Sequence, residues 1–267
     1  MYISRRHLLA AALAGPARSQ ENKPFPWPGG KRAAVSLTFD DARVSQIDNG
    51  IALLDRHGVQ ATFYVNPGAV QRRLAGWREV AAAGRHEIGN HSFSHPCSAN
   101  LAFSRSNALE DYTLPRIEED IDRCTAEVRR LLGVTPVTFA YPCGQDFVGR
   151  GEATQSYVPV VAKRFLAGRG FRDKWANDPR SCDLANLTGI DFDGWKADQM
   201  REFVENAAKE SRWVILAGHE IGVPRHQTVI AEELERFCKY LTDPANGLWV
   251  GTVAEIARYL QAERRKS

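Results

Sequence analysis

Hydrophobic and polar positions along this chain switch repeatedly between two periods. Short apolar runs read as buried strands at Ala33–Phe39, Ala61–Val65, His86–Ile88, Val137–Ala140, Trp213–Ala217 and Leu248–Val250. Weaker candidates lie at Gly170–Phe171 and Leu184–Ile190. Between them, apolar residues recur at helical spacing over Ile47–His57, Trp77–Ala83, Pro115–Leu132, Val158–Leu166, Ala197–Lys209, Thr228–Tyr240 and Val253–Gln261. The clearest stripe is Ile117, Ile121, Cys124, Val128, Leu131 and Leu132, with acids in the first turn and Gly133 as the stop. Strand–helix alternation of this kind predicts the α/β class, with a parallel sheet and right-handed crossovers. About seven units favour a closed or distorted (β/α) barrel, whose chemistry sits at the C-terminal ends of its strands.

Composition changes the picture at the start of the chain. Met1-Tyr2-Ile3-Ser4-Arg5-Arg6-His7-Leu8-Leu9 is a twin-arginine pattern, followed by apolar residues to Gly15 and small residues near Ser19. Residues 1–19 therefore read as a signal segment, 20–32 as a Pro/Gly-rich lead, and 33–267 as a single domain. The expected destination is export by the twin-arginine route, to a periplasmic or extracellular site. Loss of Arg5, Arg6 and Arg18 would take Lys plus Arg from 35 to 32, equal to the 32 Asp plus Glu. A near-neutral mature chain gives no reason to expect nucleic acid as a partner. No later run reaches the roughly 18 apolar residues of a membrane span.

The five cysteines form no CxxC pair, which argues against a zinc ribbon or a thioredoxin-like site. Cys124 and Cys238 fall in helical patterns and read as core. Cys97 and Cys143 fall in loops, and Cys182 in a polar stretch. Export permits a disulfide, and the odd count leaves at least one thiol free.

Two segments carry candidate chemistry. Thr38-Phe39-Asp40-Asp41 and His91-Ser92-Phe93-Ser94-His95-Pro96 each follow a predicted strand. Histidines four apart can face one way on a helical turn. Two imidazoles and a carboxylate make a three-ligand site for a catalytic divalent metal, and a second carboxylate beside it can take a proton from water. Two long loops, Cys97–Leu114 and Pro142–Tyr157, mix aromatic, amide and charged residues as a sugar-binding cleft would.

In this order, the two motifs resemble the first two motifs of the polysaccharide deacetylases, carbohydrate esterase family four. Three later stretches extend the resemblance. Phe139-Ala140-Tyr141-Pro142-Cys143-Gly144 is similar to the third motif, but Ala140 stands where the family has an arginine that pairs with the base aspartate. Asp191-Phe192-Asp193-Gly194-Trp195 is similar to the fourth, and Val214-Ile215-Leu216-Ala217-Gly218-His219 to the fifth.

The resemblance implies Asp41, His91 and His95 as metal ligands, with zinc as the first expectation. It implies Asp40 as general base, the Cys143 backbone N–H as an oxyanion donor, and His219 as general acid. Asp191 is then the first choice to hold His219, with Asp193 second. Tyr141, Pro142 and Trp195 are expected against the substrate, and Arg164, Arg169 or Arg172 could replace the missing arginine. The expected substrate is an acetylated polysaccharide or oligosaccharide, with N-acetyl groups favoured. The alternatives are an O-acetyl ester of the xylan type, small cyclic amides, and a carbohydrate-binding protein that has lost turnover.

Overall fold

The computed structural model describes residues 23–266; the expected twin-arginine segment lies outside them. Strands β1 (Ala33–Asp40), β2 (Ala61–Val65), β3 (Glu87–Asn90), β4 (Thr138–Ala140), β5 (Ala167–Arg169), β6 (Ile190–Asp191), β7 (Trp213–Gly218) and β8 (Leu248–Val250) form one sheet. Its order is β5-β4-β3-β2-β1-β7-β6, and β8 pairs with the first residues of β1. Every pair in it is parallel. Leu187, just ahead of β6, nearly closes the ring: its N–H donates to the Gly168 carbonyl, and its carbonyl accepts from Gly170 N–H, both at 2.7 Å. The wall is thus the distorted (β/α) barrel that the alternation predicts.

Helices α1 (Ile51–Arg56), α2 (Leu74–Ala83), α3 (Leu114–Leu132), α4 (Val158–Arg164), α5 (Ala197–Ala208), α6 (Ala231–Thr242) and α7 (Val253–Arg264) surround it. The strand period of two sorts the side chains. Val35, Leu37 and Phe39 face outward and pack with Leu54, Trp77, Val204 and Phe237 of the helices. Ser36, Thr38 and Asp40 face the barrel axis. Thr38 Oγ1 donates to the Leu216 carbonyl at 2.9 Å, and Trp213 Nε1 donates to Ser36 Oγ at 3.1 Å. At the N-terminal ends of the strands, Phe25 and Trp27 of the lead pack with Ala34, Trp213, Ile215 and Val253. The Trp27 indole donates to the Ser211 carbonyl at 3.0 Å, so the lead covers that end of the barrel.

Three stretches near the site differ from the sequence reading. The expected helix Val158–Leu166 stops at Arg164, and the next strand is Ala167–Arg169 rather than Gly170–Phe171. Apolar continuity through Phe165 and Leu166 hides that break. The stretch 184–190 is mostly a 3-10 turn, Leu184–Asn186, ahead of the two-residue β6. Thr228–Ile230 is a short strand paired with Glu220–Gly222, and α6 begins only at Ala231.

Candidate functional site

The site sits at the C-terminal ends of β1, β3, β5 and β7. Past Asp40 the chain turns sharply, with Asp41 at φ 72° and Ala42 at φ 48°. This reversal sends adjacent aspartates to different tasks. Asp40 stays in the barrel, and Asp41 leans over its mouth. The His91–His95 segment is a loop after β3, not a helical turn. Ser92 and His95 take positive φ values of 60° and 51°. Asn90 Oδ1 accepts from Ser92 N–H at 2.7 Å, and Ser92 Oγ accepts from His95 N–H at 2.9 Å. The fold-back made by those bonds, rather than helical periodicity, brings both rings to one side.

His91 Nε2 lies 3.5 Å and His95 Nε2 3.3 Å from Asp41 Oδ1. Ligands about 2.0–2.1 Å from a tetrahedral zinc-like ion stand roughly 3.3–3.4 Å apart, so both histidine nitrogens already stand near that spacing from Asp41 Oδ1. Among the described residues these three form a group able to hold a metal ion. His91 Nδ1 donates to the Ala140 carbonyl at 2.9 Å, which fixes the tautomer and leaves Nε2 as the free donor atom. Burial works against the Asp41 carboxylate, but His91, His95, Arg43 and His219 outweigh it and hold its pKa down to about 2. Burial and the neighbouring His91 push His95 down to about 4. Both groups are therefore kept in the unprotonated forms that metal binding requires.

Asp40 is buried, and its Oδ2 lies 4.0 Å from His91 Nε2. Its Oδ1 accepts from the fully buried guanidinium of Arg169. Arg169 pairs in register with Ala140 on the adjoining strand, so the guanidinium reaches Asp40 from one strand over. Its Nη1 donates to the Gly170 carbonyl at 2.8 Å. Glycine at 189 leaves the room for this, since a Cβ there would come within 2.4 Å of Arg169 Cδ. Arg164 instead binds Glu118 and Asp122 on α3, and Arg172 lies 3.4 Å from Asp191. Gln46 Nε2 donates to the carbonyls of Asp40 at 2.6 Å and His219 at 2.9 Å, tying the ends of β1 and β7 together.

His219 Nδ1 donates to Asp193 Oδ2 at 2.6 Å, and its backbone N–H to Asp193 Oδ1 at 3.1 Å. Asp193, not Asp191, holds the ring. Asp191 accepts from Asp193 N–H at 3.2 Å and so shapes the turn instead. Gly218 makes room: a Cβ there would lie 3.1 Å from Asp193 Oδ1 and far closer to Val229 and Phe192. Burial disfavours the charged ring, but Asp193, Asp40 and Asp41 outweigh it, and the His219 pKa is raised above its ordinary value.

The pocket over these groups has a volume of about 650 Å³, and Cys143 lines it. Three other expected residues do not. Tyr141 is buried and donates to the Ala185 carbonyl at 2.6 Å. Pro142 is buried in the turn beneath. Trp195 packs on Phe203 of α5 with ring centres 5.9 Å apart. Of the long loops, Asn100, Phe103 and Gln145 reach the pocket, whereas Tyr157 serves to bind the Gln145 carbonyl at 2.7 Å. The sequence reading missed Arg43, Phe171 and Gln227, which also line it. Arg43 Nη2 donates to Asp41 Oδ2 at 2.8 Å. Its place two residues past the aspartate pair was the one available signal; Gln227, in a polar loop, offered none.

The family model for polysaccharide deacetylase matches residues 28–155, which include Asp40, Asp41, His91 and His95. Over that stretch the chain is similar to the polysaccharide deacetylases. A Bacillus subtilis protein, the uncharacterized YlxY, is 32% identical over 98 residues, which are 37% of this chain and 27% of that protein. The match thus spans about a quarter of the curated relative's length. Among solved structures, a Mycobacterium smegmatis protein assigned to the polysaccharide deacetylases is similar, with TM-score 0.65 and 18% identity, covering 90% of this chain and 94% of that one. The Bacillus subtilis peptidoglycan deacetylase PdaC is similar at TM-score 0.54 and 20% identity, over 87% and 93%. A carbohydrate esterase family four pseudoenzyme from Bacillus anthracis is similar at 0.52 and 18%, over 85% and 66%. At these identities the solved structures establish the shared fold.

Proposed function

We propose that the protein is an exported, metal-dependent deacetylase that hydrolyses N-acetyl groups of a polysaccharide or oligosaccharide. The observation that carries this reading is the convergence of five groups on one pocket: a three-ligand set, Asp40 with its buried Arg169, and His219 with Asp193. A binding protein has no need of the last four. Asp41, His91 and His95 would hold a divalent ion, zinc by its preference for two nitrogens and an oxygen at this spacing. When bound, the ion supplies a Lewis acid for water and for the acetyl carbonyl.

The chain's own residues do the rest. Asp40 takes the proton of the attacking water, and Arg169 fixes that carboxylate's orientation. Cys143 lines the pocket, and its backbone N–H would serve as a donor for the developing oxyanion. His219 gives its Nε2 proton to the departing amine nitrogen, while Asp193 holds Nδ1. An amine leaves only when protonated, so an imidazole with a raised pKa supports the amide over an acetyl ester. The Cys97–Cys143 disulfide supports an oxidising, exported location.

The test is acetate release from chitooligosaccharides, peptidoglycan and acetylated xylan, with zinc and with a chelator. The reading expects zinc-dependent, chelator-sensitive release from an N-acetylated substrate. Release only from xylan would replace it with the esterase, and binding to glycans without release would replace it with a lectin-like role.

A further inference from the structure

His95 stands between two sets of ligand atoms. Its Nε2 faces Asp41, and its Nδ1 lies 3.7 Å from Cys97 Sγ. The second nitrogen of His91 faces a carbonyl, whereas that of His95 faces the sulfur. Cys97 is joined to Cys143, with Cα atoms 6.0 Å apart. The His95 nitrogen and the two sulfurs all lie within 4.8 Å of one another, a second group able to hold an ion.

We propose that reduction of the Cys97–Cys143 disulfide opens a thiolate site for a soft divalent ion, built from Cys97, Cys143 and His95 Nδ1, and that filling it withdraws His95 from the Asp41–His91–His95 set. Around an ion with sulfur at about 2.3 Å and nitrogen at about 2.0–2.1 Å, sulfur and nitrogen stand roughly 3.6 Å apart, close to the spacing already present. The sulfurs must part, while Cys97 Sγ already stands at that distance from His95 Nδ1. Their backbones are held in place: Cys97 N–H donates to Ser104 Oγ at 2.8 Å, and its carbonyl accepts from Leu109 N–H at 3.0 Å. The turn carrying Cys143 is closed by Gly144 N–H on the Tyr141 carbonyl at 2.9 Å. Cys143 lines the pocket, which gives a reductant its approach.

The chemistry balances with a dithiol as reductant. Two electrons and two protons pass to the disulfide, whose sulfur–sulfur bond breaks to give two thiols, while the dithiol closes to its own disulfide. Each thiol proton goes to solvent as a metal–sulfur bond forms. A neutral imidazole gives one nitrogen to an ion, so His95 serves one site or the other. The inference does not depend on which substrate the pocket accepts.

The test is a cadmium titration of full-length protein, followed by the ultraviolet sulfur-to-cadmium charge-transfer absorption. It is run on oxidised protein and on protein reduced with a phosphine and desalted without oxygen. The oxidised form keeps Cys124, Cys182 and Cys238 free and so controls for them. Expected are no band for the oxidised form, a band saturating at one equivalent for the reduced form, and its loss in Cys97→Ser and Cys143→Ser. His95→Ala should weaken cadmium binding by the reduced form at least about tenfold. Absence of the band in reduced protein overturns the inference. So does a band whose affinity His95→Ala leaves unchanged, which is also what a reduced and unfolded chain would give.

Discussion

The two halves of the pocket are built by different means. The proposed metal half comes from Asp41, on the sharp turn after β1, and from His91 and His95, whose turn is closed by its own neighbours, Asn90 and Ser92. The proton-transfer half comes from Asp40, Arg169, Asp193 and His219, whose partners lie 129 and 26 residues apart in sequence. Local turn chemistry fixes the histidine pair of the first half. Strand register fixes the second, because Arg169 reaches Asp40 only while β5 pairs with β4 so that Arg169 stands beside Ala140. The lesson is that a missing motif residue can be supplied by the neighbouring strand when both positions face the barrel axis.

Six substitutions sharpen or break that contrast. His219→Ala should lower acetate release from N-acetyl substrates by about 10²–10⁴-fold with metal content unchanged. The loss on esters with good leaving groups should be smaller, since they need no proton. Equal losses on both would mean that His219 acts in binding rather than as an acid. Arg169→Met leaves Asp40 buried without its partner and should cost about 3–5 kcal/mol of stability, read as a fall in the denaturant midpoint. Restoring an arginine by Ala140→Arg in the same chain should recover part of the loss. Failure to recover any would show that the two strand positions are not equivalent.

Asp193→Asn removes the carboxylate that orients His219. The expected loss is roughly 10–100-fold in kcat, the range for outer partners of a functional histidine. Asp191→Asn should cost less than Asp193→Asn; the reverse order would return the orienting role to Asp191. The smallest effect is expected for Tyr141→Phe. It deletes one buried hydrogen bond to the Ala185 carbonyl, worth about 1–1.5 kcal/mol, and should leave KM unchanged. A raised KM would place Tyr141 back at the substrate.

The same division explains what could be read from the sequence. The barrel class followed from strand–helix alternation, and the Asp41, His91 and His95 group proposed to hold a metal followed from two motifs short enough to need no long-range information. The orienting residues did not follow. Asp191 matched the outer spacing better than Asp193, but spacing is blind to which carboxylate Gly218 leaves room for. Arg169 stood among three candidates because the boundary between α4 and β5 is concealed by Phe165 and Leu166, and only the true boundary puts it in register with Ala140. Tyr141 and Trp195 were misplaced for the same reason. A motif names neighbours in the chain, whereas the direction of a side chain is set by the pleat of its strand or by the turn after it.

The central claim is that the adjacent Asp40 and Asp41 do different work. It is tested most directly by measuring bound zinc and acetate release side by side in Asp40→Asn and Asp41→Asn. The account predicts one zinc per chain and a loss of turnover of about 10²–10⁴-fold for Asp40→Asn, and loss of the zinc itself for Asp41→Asn. Zinc lost from Asp40→Asn but retained by Asp41→Asn, or turnover undiminished in Asp40→Asn, would contradict it.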